Sequence, residues 1–145
     1  MASVLVVDDE DGVLNAIGRR LERHGLEVTK ASTAEDGIRL IQNGEVPFDV
    51  IVTDMSIEDP QAGLRVLSAA FQRDVLAMVI VMTAFGSVAN AVECMRRGAF
   101  DYIEKNAPGI DVYEVLTMKI DQALERRRQD FKTVERWQQS ATRAD

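Results

Sequence analysis

Three short apolar runs in this chain each lead into an acidic or hydroxyl side chain. The runs are Val4–Val7, followed by Asp8 and Asp9; Phe48–Thr53, followed by Asp54; and Met78–Met82, followed by Thr83. Runs of this length are typical of buried strands. An ionised carboxylate is too costly to bury unpaired, so Asp54 should lie at a rim, facing water or a cation. Ligands of parallel α/β sheets bind outside the carboxyl ends of the strands, which makes Asp54 the predicted centre of a site.

The acidic run Asp8–Asp11 could bring further carboxylates to that site. Carboxylates ~4 Å apart repel by about 4 kcal/mol at an effective dielectric of about 20, and protonation or a cation relieves the repulsion. Mg²⁺ suits such a site because it prefers few carboxylates and keeps several of its waters. Taken alone, the run is more typical of a solvated helix start, where acidic side chains are favoured.

Lys105, Thr83 and Ala84 add the groups that an anion would need. Lys105 offers a mobile positive charge suited to a phosphate, although a lone lysine here would be better interpreted as a solvated surface residue. Thr83 offers a hydroxyl donor, and the small Ala84 leaves room for an incoming group. A cation, a lysine, a hydroxyl and an exposed carboxylate together predict a phosphoryl-transfer centre in which Asp54 is the nucleophile.

Strand and helix patterns alternate five times, which predicts a parallel sheet covered by helices on both faces. The predicted strands are about 3–8, 26–31, 48–54, 77–83 and 99–103. The predicted helices are about 11–24, a second one ending near 42, a third from Gly63, a fourth capped by Ser87, and a long final one from about Asp111. Ser32 followed by Glu35 predicts a capping box for the second helix.

The final helix is longer than this architecture needs, and the chain is therefore divided into a domain over 1–124 and an extension over 125–145. The apolar stripe thins after Leu124 to Phe131, Val134 and Trp137 among many charges. Such a segment fits a linker helix, a weak coiled coil or a frayed end, and residues from Ser140 onward are expected to be disordered.

Composition narrows the class of protein. A chain of 145 residues suits one domain with a real core. The net charge of −7 argues against nucleic-acid binding by this chain. No apolar run approaches the ~18 residues of a membrane span, and no signal segment precedes the first strand. The single cysteine, Cys94, fits a small core residue in a reducing compartment, so we expect a cytoplasmic protein.

These residues resemble a known family, the receiver domain of two-component response regulators. The resemblance rests on Asp8-Asp9, Asp54, Thr83-Ala84 and Lys105, and it covers about residues 3–124. The stretches 82–87 and 97–102 are similar to receivers of nitrogen-regulation-type transcription activators. The resemblance implies a doubly wound, flavodoxin-like fold with a five-stranded parallel sheet in the order 2-1-3-4-5.

The resemblance also implies roles for individual residues. Asp54 would accept a phosphoryl group from a sensor histidine kinase or a phosphotransfer protein, and Lys105 would bind that group. Mg²⁺ would be held by Asp9, Asp54, the Ser56 carbonyl and, through water, Asp8. Thr83 and Tyr102 would form the switch pair. The resemblance implies no activity on a separate substrate, only self-phosphorylation and self-dephosphorylation.

The sequence departs from the family pattern in two segments. Ile57 stands where the family usually has methionine, and Gly63 comes one residue late, so the loop after Asp54 is altered. Asn106 follows Lys105 where the family usually has proline, often in cis. A non-proline cis bond costs about 2.5–4 kcal/mol, so we expect a trans bond there.

Two other functions are compatible with parts of the pattern. A receiver-like adaptor that only binds proteins would have lost the chemistry through the altered loops. An aspartyl-nucleophile phosphatase would need a second acid at the position of Ser56, and the chain has no glycine-rich phosphate loop. The long helix favours an output domain beyond Asp145, and a homodimer through that helix is a further expectation.

Overall fold

The computed structural model describes residues 1–55, 61–84 and 88–143 of the chain. Its strands are β1 (Ser3–Val7), β2 (Glu27–Ala31), β3 (Val50–Asp54), β4 (Met78–Thr83) and β5 (Asp101–Glu104). Its helices are α1 (Asp11–Arg23), α2 (Ala34–Asn43), α3 (Ala62–Arg73), α4 (Val88–Arg96) and α5 (Val112–Arg143). Strand and helix therefore alternate as the sequence predicts.

The five strands form one sheet in the order β2-β1-β3-β4-β5, with every neighbouring pair parallel. This confirms the predicted fold class, order and long final helix. β1, β3 and β4 are almost wholly apolar and buried because helices cover both of their faces. β2, at one edge of the sheet, carries exposed charged residues instead.

Alternate residues of the strands pack into two separate cores, one on each face of the sheet. The first core packs α2, α3 and α4 against side chains such as Leu5, Ile51 and Val79. The second packs α1 and α5 against side chains such as Val6 and Ile80. Successive strand side chains point to opposite faces, so one strand sequence serves both cores.

Some predicted boundaries differ from the structure. β5 begins at Asp101 rather than Ala99, although the Phe100 amide already donates to the Val79 carbonyl of β4 (2.7 Å). The N-cap of α2 is Thr33, whose hydroxyl accepts from the Asp36 amide (3.0 Å), so the predicted cap at Ser32 is wrong by one residue. The predicted cap Ser87 lies outside the described residues.

Candidate functional site

The candidate site lies where the strands end. Asp8 directly follows β1, Asp54 and Thr83 are the last residues of β3 and β4, and Lys105 directly follows β5. In the ladder Asp54 is aligned with Met82, and Thr83 with Glu104. Parallel strands in this register deliver their final side chains to the same edge of the sheet. The alignment thus follows from the fold that the apolar runs dictate.

An ion cluster joins three of these residues. The Lys105 Nζ lies 2.7 Å from Asp8 Oδ2 and 3.1 Å from Asp54 Oδ2, with Glu10 Oε1 at 3.9 Å. Asp8 is 1% exposed and Asp54 8% exposed. The Lys105 amide donates to the Thr83 carbonyl (2.8 Å), which fixes the backbone from which the side chain reaches inward. The lysine therefore offsets the repulsion between two buried carboxylates.

The protonation of Lys105 is set by two opposing effects. Burial of the ammonium is the larger single effect and lowers its pKa. The hydrogen bonds and charges of Asp8 and Asp54 act in the opposite direction and together outweigh burial, so the pKa of Lys105 lies above its ordinary value. Lys105 therefore stays positively charged at neutral pH.

Asp8, Asp9 and Glu10 form a group of oxygens that fits a divalent cation. One carboxylate oxygen from each lies within 4.8 Å of the others, and Asp9 and Glu10 are exposed. Asp8 Oδ1 accepts from the Glu10 amide (2.9 Å), which orients the buried carboxylate. Hard oxygen ligands beside open solvent match the needs of Mg²⁺, whose waters remain bound. The predicted ligand Ser56 lies outside the described residues.

Thr83 and Tyr102 occupy neighbouring strands. Thr83 is fully buried, and its hydroxyl donates to the Ala84 carbonyl (3.2 Å). Tyr102 is aligned with Val81 of β4, and its half-buried ring packs against the core that contains α3 and α4. The hydroxyl thus has a local acceptor in this structure, and the tyrosine ring lies between interior and solvent.

The chain after Asp54 is held by Met55. The Met55 amide donates to the Met82 carbonyl (2.8 Å), and its carbonyl accepts from the Gly63 amide (3.1 Å). A β-carbon at Gly63 would lie 3.1 Å from the Met55 Cα, so glycine permits this close approach. Beneath it, the Cys94 Sγ lies 3.4 Å from the Met55 sulfur. Cys94 is fully buried, which confirms it as a core residue, and burial raises the pKa of its thiol to about 11.

Two features of the site were not predicted from the sequence. Lys105 was predicted to bind an incoming phosphate, whereas its ammonium here already contacts Asp8 and Asp54. Glu10 belongs to the acidic run seen in the sequence but was not among the predicted Mg²⁺ ligands, and its carboxylate lies in the same group of oxygens as those of Asp8 and Asp9. The trans bond expected after Lys105 is confirmed, since none of the peptide bonds in the described segments is cis.

Comparison with known proteins identifies the class. The model of the response regulator receiver domain matches residues 4–117, and the chain belongs to that family. It is 34% identical over 117 residues to the photosynthetic apparatus regulatory protein RegA of Rhodobacter capsulatus, covering 81% of this chain and 62% of RegA. It is 32% identical over 140 residues to the transcriptional regulatory protein GlrR of Escherichia coli K12, covering 96% of this chain and 29% of GlrR.

Solved structures agree with that assignment. A response regulator receiver domain protein from Clostridium thermocellum has a TM-score of 0.79 and 31% identity, covering 88% of this chain and 98% of that one. NtrX from Brucella abortus, in complex with ATP, has a TM-score of 0.80 and 25% identity, covering 92% of this chain and 29% of NtrX. This chain thus spans less than two thirds of RegA and GlrR and less than a third of NtrX.

Membership of the family carries some general properties. Receiver domains are signalling switches of two-component systems, generally without catalysis on a separate substrate, and they work with histidine kinases and output domains. They generally bind Mg²⁺ at an acidic pocket, and the oxygens of the Asp8–Glu10 group are of the kind that such a pocket uses. Within the three described segments no helix is long and apolar enough to cross a membrane.

Proposed function

We infer that this chain is the phosphoacceptor switch of a two-component phosphorelay and that Asp54 is the acceptor. The observation that supports this most directly is the position of the Lys105 ammonium, 2.7 Å from Asp8 and 3.1 Å from Asp54 at the end of the sheet. A lysine in that position can contact an oxygen of a group attached to Asp54 without moving its backbone. The donor is a sensor histidine kinase or a phosphotransfer protein in the cytoplasm.

Each residue has a distinct task in the transfer. A carboxylate oxygen of Asp54 attacks the phosphorus, and the bond to the donor breaks with its electron pair leaving on the donor. Lys105 balances the charge that the new group adds beside Asp8. Mg²⁺, held by Asp9, Asp54, the Ser56 carbonyl and, through water, Asp8, would supply further positive charge there. The same polar groups would assist the hydrolysis that returns Asp54 to its free carboxylate.

The switch starts from the hydrogen bond of Thr83. The added group brings close to two negative charges, and Thr83 can exchange its acceptor, the Ala84 carbonyl, for a phosphoryl oxygen. A hydrogen bond to a charged group is worth about 1.5–3 kcal/mol, which shifts a two-state equilibrium about 10–150-fold. Tyr102 would then turn toward the space that Thr83 leaves, changing the surface formed by α4, β5 and α5.

The output of the switch depends on what binds to the surface formed by α4, β5 and α5. We place the switch domain at residues 1–124 and an extension at 125–145, as the sequence predicts. The extension would connect to an output domain or bind a second copy of the chain, by analogy with the longer relatives. Neither nucleic acid nor membrane is proposed as a direct partner of this chain.

A small phosphoryl donor tests the proposal. With acetyl phosphate and Mg²⁺, intact-mass measurement should show one added phosphoryl group, which Asp54→Asn should abolish. Asp36→Asn, at an acidic residue in the first turn of α2, is the matched control and should keep the adduct. An adduct that survives Asp54→Asn would refute the assignment. If neither acetyl phosphate nor a phosphorylated histidine kinase gives an adduct, the chain acts as a binding adaptor instead.

A further inference from the structure

A second cluster of charges lies at the opposite end of the sheet, around Arg127 of α5. Its guanidinium donates to the Leu76 carbonyl (2.7 Å) and pairs with Asp49 (3.3 Å) and Asp74 (2.8 Å). The Arg127 side chain is only 7% exposed. Buried arginine is rare unless it is paired in this manner, so the cluster is a specific feature of the fold.

The partners of Arg127 belong to the starting ends of the strands. Asp49 directly precedes β3 and also accepts from the backbone amide of Ser3 at the start of β1 (2.9 Å). Asp74 follows α3, and its other carboxylate oxygen accepts from the Leu76 amide (2.9 Å) just before β4. One side chain of α5 is thereby connected to residues at or just before the start of three strands, β1, β3 and β4.

Arg127 is also where α5 leaves the body of the protein. Among the side chains that the structure describes, it is the last buried one of the helix, and Lys132–Thr142 are all exposed. The ring of Phe131, one turn later, stacks over the guanidinium at 4.8 Å. A free helix of about 12 residues is marginal in water, so its direction depends on the contacts at its exit.

Charged contacts fix that direction in a way that apolar contacts do not. Burial of apolar surface is non-directional. A guanidinium presents its donors in a rigid planar fork, and here acceptors on two different loops occupy that fork. Rotation or sliding of α5 would break at least one of these contacts and leave a buried charge unpaired, which is strongly unfavourable.

We propose that Arg127, Asp49 and Asp74 form a lock that fixes the angle at which α5 leaves the sheet. The second half of α5 then moves as a rigid continuation of β3 and β4 instead of swinging freely. Any segment joined to the helix would receive its orientation through this lock. The proposal does not depend on phosphorylation of Asp54.

Distance measurement between spin labels tests the lock directly. Cysteines at the exposed positions Arg19 on α1 and Gln139 on α5 would carry the labels, and native Cys94 is buried and unreactive. Position 139 lies about 18 Å beyond Arg127 along the helix, so a tilt of about 10° displaces its label by about 3 Å. Pulsed electron resonance on the full chain resolves a change of that size.

The variant Arg127→Met should broaden the distance distribution by about 3 Å or more, the displacement that a tilt of about 10° gives at position 139. Arg128→Met is the matched control, because Arg128 is paired on the same helix yet 69% exposed, and it should leave the distribution unchanged. Asp74→Asn, which keeps an acceptor for the Leu76 amide, should broaden the distance distribution as well. This variant tests the lock if Arg127→Met does not fold. Distributions as narrow as that of Arg128→Met in every folded lock variant would overturn the proposal.

Discussion

Lys105 can be tested as the internal counter-ion of the acidic pocket. In Lys105→Met, without divalent cations, Asp8 and Asp54 lose the ammonium that lies 2.7 and 3.1 Å away. Removing one partner from a buried ion pair costs about 3–5 kcal/mol. Protonation of one carboxylate recovers part of that, so we expect the free energy of unfolding to fall by about 3 kcal/mol at pH 8.

The assay is urea denaturation followed by circular dichroism, in chelator and in millimolar Mg²⁺. Mg²⁺ should stabilise Lys105→Met more than the wild type, because the ion meets two carboxylates that no ammonium already neutralises. Lys119→Met removes a lysine paired with Asp101 at 2.6 Å but 27% exposed, and it should cost less than about 1 kcal/mol with no added response to Mg²⁺. Equal losses in the two variants would refute the assigned role of Lys105.

Alkaline pH provides an independent readout of the same contact. The folded protein raises the pKa of Lys105 above its ordinary value, so the folded state holds this proton more tightly than the unfolded state. The resulting stability is fully present at neutral pH and is lost as pH rises past about 10.4, through the folded pKa. Stability should therefore fall less steeply in Lys105→Met over that range. Parallel pH profiles for the two proteins would contradict this sign.

Three further predictions concern the packing and the switch. Gly37→Ala places a β-carbon 2.8 Å from a side chain of β1 and should lower the free energy of unfolding, measured by chemical denaturation, by about 1–3 kcal/mol. Gly12→Ala, with no neighbour within 4 Å, should raise it by about 0.4–1 kcal/mol. Equal effects of the two substitutions would contradict the packing around Gly37. Cys94, with its pKa raised to about 11, should react with a thiol reagent at pH 8 at least about 100-fold more slowly in the folded protein than in urea, and fast labelling of the folded protein would refute its burial. Thr83→Val should still take up a phosphoryl group, as measured by intact mass, but its Tyr102 ring signals in nuclear magnetic resonance should no longer shift on phosphorylation. An unchanged shift would show that the response of Tyr102 does not depend on Thr83.

Much of the fold was predictable because the burial of the central strands on both faces also determines their apolar sequence. β1, β3 and β4 read as unbroken apolar runs since both of their faces are covered, and the residues that end them are the residues of the site. The N-cap residue of a helix is harder to predict from the sequence. Ser32 and Thr33 are adjacent hydroxyl residues, and only the backbone geometry decides which one accepts from the amide of Asp36.

Long-range ion pairs could not be predicted from the pattern. Arg127 lies within a run of three arginines on a polar helix, where a solvated side chain is the ordinary interpretation. Its acidic partners are far away in the chain and come close only through the strand order. One usable signal existed: Asp49 lies at the start of the predicted strand 48–54 and Asp74 stands shortly before the predicted strand 77–83, which places both at the same end of the sheet. Lys105 could be predicted because it stands two residues after the predicted strand 99–103.

The two charged clusters lie at opposite ends of the same short strands. β3 carries Asp54 as its last residue and begins next to Asp49. A five-residue strand of about 17 Å therefore separates the candidate site from the point where α5 leaves the body of the protein. A domain fused after α5 would start on the far side of the protein from the candidate site. Any segment that followed α5 could therefore vary without contacting the candidate site.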